Sequence, residues 1–286
     1  MAPTSAQATQ AFLTDLDGTL LRSDATVSPF TVETLTWLLE QGVPVSYATA
    51  RSYRSSMQVV GEIPWQHPLV LYNGAVLMDP VDGSLLGGNW LTSEAANELI
   101  EFGKSRHRLV PLLFGLDGGG NETVLHEPLL RTGDRQFYAN RPNDPRFRET
   151  AGLVCPFDQR VLILTYIGRL EELEPFHADL TNRFGSTIHL HLMRDAYVRE
   201  HNYFLEVSHP LANKKQGLLQ WARIMGIEPS QVTVFGDNLN DVGLFEAAGT
   251  RVAVREAHER LQAMADRIIG SHNEDAVAKY MRQQFG

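Results

Sequence analysis

The sequence predicts an α/β protein: a Rossmann-like doubly wound parallel sheet core interrupted by an inserted α+β domain. Three observations carry this. Short apolar runs alternate with helix-period segments from Ala11 to Leu71. The alternation then gives way to a mixed pattern and resumes near Tyr203. Two carboxylate-rich segments, Asp15-Leu16-Asp17-Gly18-Thr19-Leu20 and Gly236-Asp237-Asn238-Leu239-Asn240-Asp241, each follow a strand-like run near opposite ends of the chain.

Ala11 to Thr14 is the first strand. Phe30 to Gln41 has Val32, Leu35, Leu38 and Leu39 at helical spacing, with Ser28-Pro29 as a start signal and Gly42 as a stop. Strand Val43–Tyr47, a helix from Ser52 to Val60, and strand Leu69–Leu71 complete a βαβαβ rhythm. Ala75–Met78 and Ser84–Leu86 flank Pro80-Val81-Asp82-Gly83, a hairpin signal. A helix is expected over Thr92–Ser105. Strands are expected at Leu109–Phe114, Thr123–His126, Val161–Ile167 and Thr187–Leu192, and a helix over Arg169–Phe184. From Tyr203 the order is strand, helix Lys214–Met225, strand Val232–Phe235, helix Asp241–Ala248 and strand Val252–Val254. The core is therefore placed at 1–83 and 202–286, with the insertion at 84–201.

Composition narrows the function. The chain has 286 residues, 43% of them apolar, which is enough for one large or two moderate domains. A formal charge of −9 argues against a nucleic-acid partner or an anionic membrane surface. No apolar stretch approaches the roughly 20 residues of a membrane helix. The single Cys155 has no partner for a disulfide or a thiolate cage, and Met1 to Gln10 lacks an apolar secretory core. A cytoplasmic setting is the expectation. The sequence sets no oligomeric state.

The chemistry begins at the strand ends, because open α/β sheets bind ligands beyond the carboxyl ends of their strands. The four carboxylates of Asp15, Asp17, Asp237 and Asp241, gathered there, would repel one another unless a cation lay between them. All-oxygen ligands suit Mg²⁺, which commonly works with phosphate groups. The local reading is metal-assisted phosphoryl transfer with a carboxylate nucleophile available. No Gly-x-Gly-x-x-Gly follows the first strand, which disfavours a dinucleotide-binding dehydrogenase. Gly118-Gly119-Gly120-Asn121 is read as a hairpin loop, since no Gly-Lys-Ser/Thr follows it. His189 and His191 alternate along a strand without an evident third metal ligand, and Arg131, Arg135, Arg141, Arg146 and Arg148 read as a solvated basic loop.

Asp15-Leu16-Asp17-Gly18-Thr19 together with Gly236-Asp237-Asn238-Leu239-Asn240-Asp241 resembles the haloacid dehalogenase superfamily. The large insertion resembles that of its Cof-like phosphatases, which carry an α/β cap. Ala48-Thr49-Ala50-Arg51, Asn73-Gly74-Ala75, and Leu205-Glu206-Val207 followed by Asn213-Lys214 extend the likeness over nearly the whole chain. The resemblance implies a Mg²⁺-dependent phosphatase acting on a small phosphorylated substrate, with sugar phosphates the leading class.

It also implies residue roles. Asp15 is the nucleophile that forms an aspartyl phosphate. Asp17 is the general acid and base. Thr49 donates to a phosphate oxygen, and Lys214 supplies positive charge, with Lys215 its rival for that role. Asp15, the Asp17 carbonyl, Asp237 and Asp241 are the metal group, and Gly18, Ala50, Arg51, Asn73 and Asn240 line the substrate. Thr49 and Arg51 each have a plainer reading, as a helix cap and as a solvated helix-start arginine. A sugar-phosphate phosphotransferase or mutase, and a non-catalytic phosphosugar-binding regulator, are the alternative functions.

Overall fold

The computed structural model describes residues 10–194 and 202–285. The chain forms two compact units, one built from the stretch up to Gly88 and that from Asn213 onward, the other from Asn89–Ala212.

The first unit is centred on a five-stranded parallel sheet. Its order is Arg267–Ile268, Thr250–Ala253, Val232–Gly236, Ala11–Thr14 and Val45–Tyr47. Ala11–Thr14 lies inside the sheet and is wholly buried, which suits its apolar run Ala11-Phe12-Leu13. Its neighbour Val232–Gly236 is in register from Ala11 opposite Val232 to Thr14 opposite Phe235. Two segments far apart in sequence therefore leave the sheet side by side. Helices Pro29–Glu40 and Ala276–Gln283 pack on each other, while Lys214–Met225 buries Leu218 and Trp221.

Leu69–Leu71 departs from the expected parallel ladder. It pairs antiparallel with Val76–Met78, which pairs in turn with Leu85–Gly88 in a separate three-stranded sheet. A lone parallel bridge, Ala48 to Val70, links it to the larger sheet. The reason is the tight reversal between the two strands, where Tyr72, Asn73 and Gly74 all take positive φ (50°, 55° and 92°).

The second unit holds a six-stranded sheet. Its order is His189–Arg194, Tyr203–Ser208, Arg160–Gly168, Leu112–Leu116, Glu122–His126 and Phe147–Glu149, antiparallel except for the last pair. Helices Ser93–Phe102 and Leu170–Phe184 form one core with the sheet, through Leu99, Ile100, Leu113, Tyr166, Phe176 and Leu205. A smaller cluster of Leu112, Val124 and Ile167 gathers Phe137, Phe147 and Phe204.

Tyr203–Ser208 is read from sequence as the return to the core, yet it lies in this sheet and the units change over at Ala212. An alternating strand fits either sheet, and only its partners decide. The arginine run is also more structured than a solvated loop. It contains helix Thr132–Ala139, and Arg146 is buried between Asp144 (2.7 Å) and Glu122 (3.7 Å). Gly118–Asn121 is the tip of the hairpin between Leu112–Leu116 and Glu122–His126.

Candidate active site

Asp15 follows the strand Ala11–Thr14, and its N–H donates to Phe235 O at 3.0 Å, so it stays locked to the neighbouring strand. The chain then turns sharply. Gly18 has φ of +78°, and a Cβ there would lie 2.5 Å from Asp237 Oδ2. Only glycine permits both this backbone conformation and that approach. Next, Thr19 Oγ1 donates to Asp237 Oδ1 at 3.0 Å. This tie between the two acidic loops is not foreseen from the sequence, although Thr19 lies inside the segment that points to the site.

The second loop is closed by its own last residue. Asp241 Oδ2 accepts from the N–H groups of Asp237 (3.0 Å) and Asn238 (3.2 Å). Its other oxygen faces Lys214. The Lys214 Nζ donates to Asp15 Oδ1 and to Asp241 Oδ1, both at 2.6 Å, with the lysine side chain fully buried. Lys214 opens its helix, and the preceding Asn213 caps it by accepting from Gln216 N at 3.0 Å. Lys215 points elsewhere and pairs with Glu246 at 3.1 Å on the surface. Helical geometry turns the side chains of consecutive residues about 100° apart, so one of the two lysines reaches inward and the other does not.

Charge in this cluster is unbalanced. Asp15, Asp237 and Asp241 each present an oxygen, all within 4.8 Å of one another, against one lysine. Burial pushes the Asp15 carboxyl well above its usual range; Lys214 opposes this, while Asp241 and Asp237 add to it. Burial and the nearby Asp241 also raise Asp237. Burial alone would lower the Lys214 ammonium, yet Asp15 and Asp241 together hold it well above the ordinary lysine value. Three carboxylates with one lysine leave about two negative charges uncompensated when all are ionised. Oxygen-only donors with that surplus fit a hard divalent cation such as Mg²⁺.

A second group lies beside the first. The exposed Asp17 carboxylate is held bidentately by Arg51, with Nε to Oδ2 at 2.8 Å and Nη2 to Oδ1 at 2.6 Å. Arg51 is thus neither solvated at random nor turned away from the site. Thr49 is fully buried, and its Oγ1 accepts from Arg51 N at 3.1 Å, leaving its hydroxyl proton available. The cap of helix Tyr53–Val60 is Ser52, in a reciprocal pair with Ser55. Ala50 is exposed on the same turn. Asn240 Nδ2 donates to Asn73 Oδ1 at 3.2 Å, tying the late acidic loop to the reversal after Leu69–Leu71. All the residues expected from sequence to serve the site belong to the first unit.

The chain matches the haloacid dehalogenase-like hydrolases over residues 12–281 and belongs to that family. It is 25% identical to the pyridoxal phosphate phosphatase YbhA of Escherichia coli, covering 96% of this chain and 97% of that protein. It is 26% identical to the 5-amino-6-(5-phospho-D-ribitylamino)uracil phosphatase YitU of Bacillus subtilis, covering 95% and 96%. Among solved structures, a haloacid dehalogenase-like hydrolase from Bacteroides thetaiotaomicron superposes with a TM-score of 0.78 at 24% identity, covering 96% and 99%; this is a likeness of fold.

Proposed function

We propose that the protein is a Mg²⁺-dependent phosphatase that hydrolyses a small phosphorylated metabolite through an aspartyl phosphate on Asp15. It is a phosphoric monoester hydrolase, as its full-length relatives are named. The observation that carries the mechanism is the Asp15–Lys214–Asp241 bridge beside Asp237 at the ends of adjacent strands. Sugar phosphates are our leading substrate class. The relatives' own substrates, such as pyridoxal phosphate, keep phosphorylated heterocycles in the same test.

Lys214 holds Asp15 in one rotamer through Oδ1, which leaves Oδ2 to attack phosphorus. The Thr49 hydroxyl donates to a non-bridging phosphate oxygen, and Lys214 offsets charge as it develops. Asp17 delivers a proton to the departing alkoxide, then takes one from the water that cleaves the acyl phosphate. Arg51 fixes where the Asp17 carboxylate waits between these steps. Asp15, the Asp17 carbonyl and Asp237, with Asp241 behind them, would hold Mg²⁺, which when bound neutralises phosphate charge. The insertion, placed from sequence at 84–201, reads the organic part of the substrate. Cys155 takes no part, since burial pushes its thiol up to about 12. Its reduced state suits a cytoplasmic enzyme, and no helix among the described residues is long and apolar enough to cross a membrane.

The test is a phosphate-release screen across sugar phosphates, pyridoxal phosphate, nucleotides and polyol phosphates, run with Mg²⁺ and with a chelator. Turnover should vanish on chelation and return with Mg²⁺, and Asp237→Ala should lose it under both conditions. Full turnover with metal demonstrably removed sinks the mechanism. A new phosphate ester in place of free phosphate would favour a transferase.

A further inference from the structure

Outside the set of residues assigned to the carboxylate cluster, the first unit brings together a serine, a histidine and a glutamate in the order that activates a hydroxyl. Ser23 Oγ lies 3.0 Å from His272 Nε2, and His272 Nδ1 lies 3.2 Å from Glu256 Oε2. Neighbouring bonds fix which group donates. The Ser23 N–H donates to Asn273 Oδ1 at 3.0 Å, which orients that amide. Asn273 Nδ2 then donates to Ser23 Oγ at 2.9 Å, so the hydroxyl accepts there and keeps its own proton to give to an unprotonated Nε2.

Glu256 fixes the histidine tautomer. Partial burial pushes its carboxyl up, but hydrogen bonds from Ser271 and His272 outweigh this and hold it at about 2. An ionised carboxylate accepts the proton of Nδ1, which leaves the Nε2 lone pair for the serine. The histidine ring is mostly covered, at 11% exposure, whereas Ser23 is open to solvent. The loop carrying Ser23 continues into Ala25, Thr26 and Val27, which with Met57, Val59 and Gly61 line a cleft of about 640 Å³. None of these residues serves the phosphatase reading.

We propose that Ser23, with His272 as base and Glu256 as its orienting carboxylate, is the nucleophile of a second hydrolytic site that takes carboxylic esters. The Ser23 oxygen bonds to the acyl carbon while its proton passes to His272 Nε2. The ester C–O bond then breaks, and the alkoxide leaves with that proton. Water attacks the acyl-serine, giving one proton to His272 and from there to Ser23, and the carboxylic acid is released. No other reactant is needed.

The full chain is treated with a fluorophosphonate probe, whose phosphorus takes the Ser23 oxygen as fluoride leaves, and is assayed separately with p-nitrophenyl acetate. Peptide mass spectrometry should place the adduct on Ser23. Ser23→Ala should abolish both signals, and His272→Gln should slow both by roughly 100-fold or more, the usual worth of a positioned base. Asp15→Asn should label like the wild type, which separates this site from the phosphatase. Circular dichroism checks each fold. If Ser23→Ala does not fold, the wild-type adduct position and the Glu256→Gln rate decide. A wild-type protein that stays unlabelled at Ser23, with the variants altering only the melting temperature, overturns the proposal and leaves the network as a tether between the Ser23 loop and the Ser271–Asp275 turn.

Discussion

At the scale of single residues, the two aspartates of the first acidic segment occupy different surroundings. Asp15 is buried against Lys214, whereas Asp17, two positions on, is exposed and clasped by Arg51. Asp15→Asn should eliminate turnover, because an amide is a poor nucleophile. Asp17→Asn keeps its backbone carbonyl but can neither protonate an alkoxide nor activate water. Turnover of alkyl phosphates should then fall by roughly 100-fold or more. With p-nitrophenyl phosphate, whose leaving group needs little help, Asp17→Asn should show a rapid burst of nitrophenol. Phosphate should be trapped on Asp15, as read by rapid quench. Label on another residue, or normal turnover by Asp15→Asn, would overturn the assigned roles.

At the scale of elements, the site depends on how closely loops approach helix starts. Gly74 has φ of +92°, and a Cβ there would lie 2.2 Å from Asn213 O, immediately before Lys214. Gly74→Ala must therefore move the start of helix Lys214–Met225. We expect a loss of roughly 1–3 kcal/mol of stability, comparable to other small-to-large changes at packed sites. A larger fractional fall in kcat than in KM should accompany it, measurable by thermal melts and steady-state kinetics. An unchanged kcat would show that Lys214 does not need its present position.

In the second unit, Glu206 lies on strand Tyr203–Ser208 opposite His191 and Thr165. Burial raises its carboxyl from 4.5 to about 7. The folded state thus binds this proton more tightly than the unfolded chain does. The resulting stability is fully present below about pH 4.5 and is lost as pH rises through about 7. Glu206→Gln removes the dependence. Relative to wild type, it should gain roughly 1–3 kcal/mol at pH 8 and nothing at pH 4. A pH-independent difference in melting temperature would be evidence against a half-buried, proton-binding Glu206.

At the scale of the whole molecule, the chain divides into a unit that contains every proposed catalytic residue and a second unit that contains none. If the second unit reads the organic group, substitutions on its sheet should act on preference and not on chemistry. His191→Ala should change the ratio of kcat/KM among natural phosphate esters by about 10-fold or more, since one pocket contact is worth roughly 10–200-fold in discrimination. Turnover of p-nitrophenyl phosphate, which offers little to read, should stay within about 2-fold. If His191→Ala and similar variants across Asn89–Ala212 all leave the ratios unchanged, the specificity role of this unit is wrong.

The sequence by itself determined the α/β class and the interrupted parallel core, because apolar periodicity and turn residues are local properties. It also determined the two acidic segments, since residues such as Asp15, Gly18, Asp237 and Asp241 are legible in short motifs wherever the chain folds. Only the tertiary structure decided matters that depend on partners distant along the chain. It turned Lys214 inward and Lys215 outward, because orientation follows from where the helix starts against the sheet. It joined Arg51 to Asp17 and Thr19 to Asp237. It placed Tyr203–Ser208 in the second sheet and Leu69–Leu71 in a third, because a strand's alternation tells which face is apolar but not which neighbour completes its hydrogen bonds.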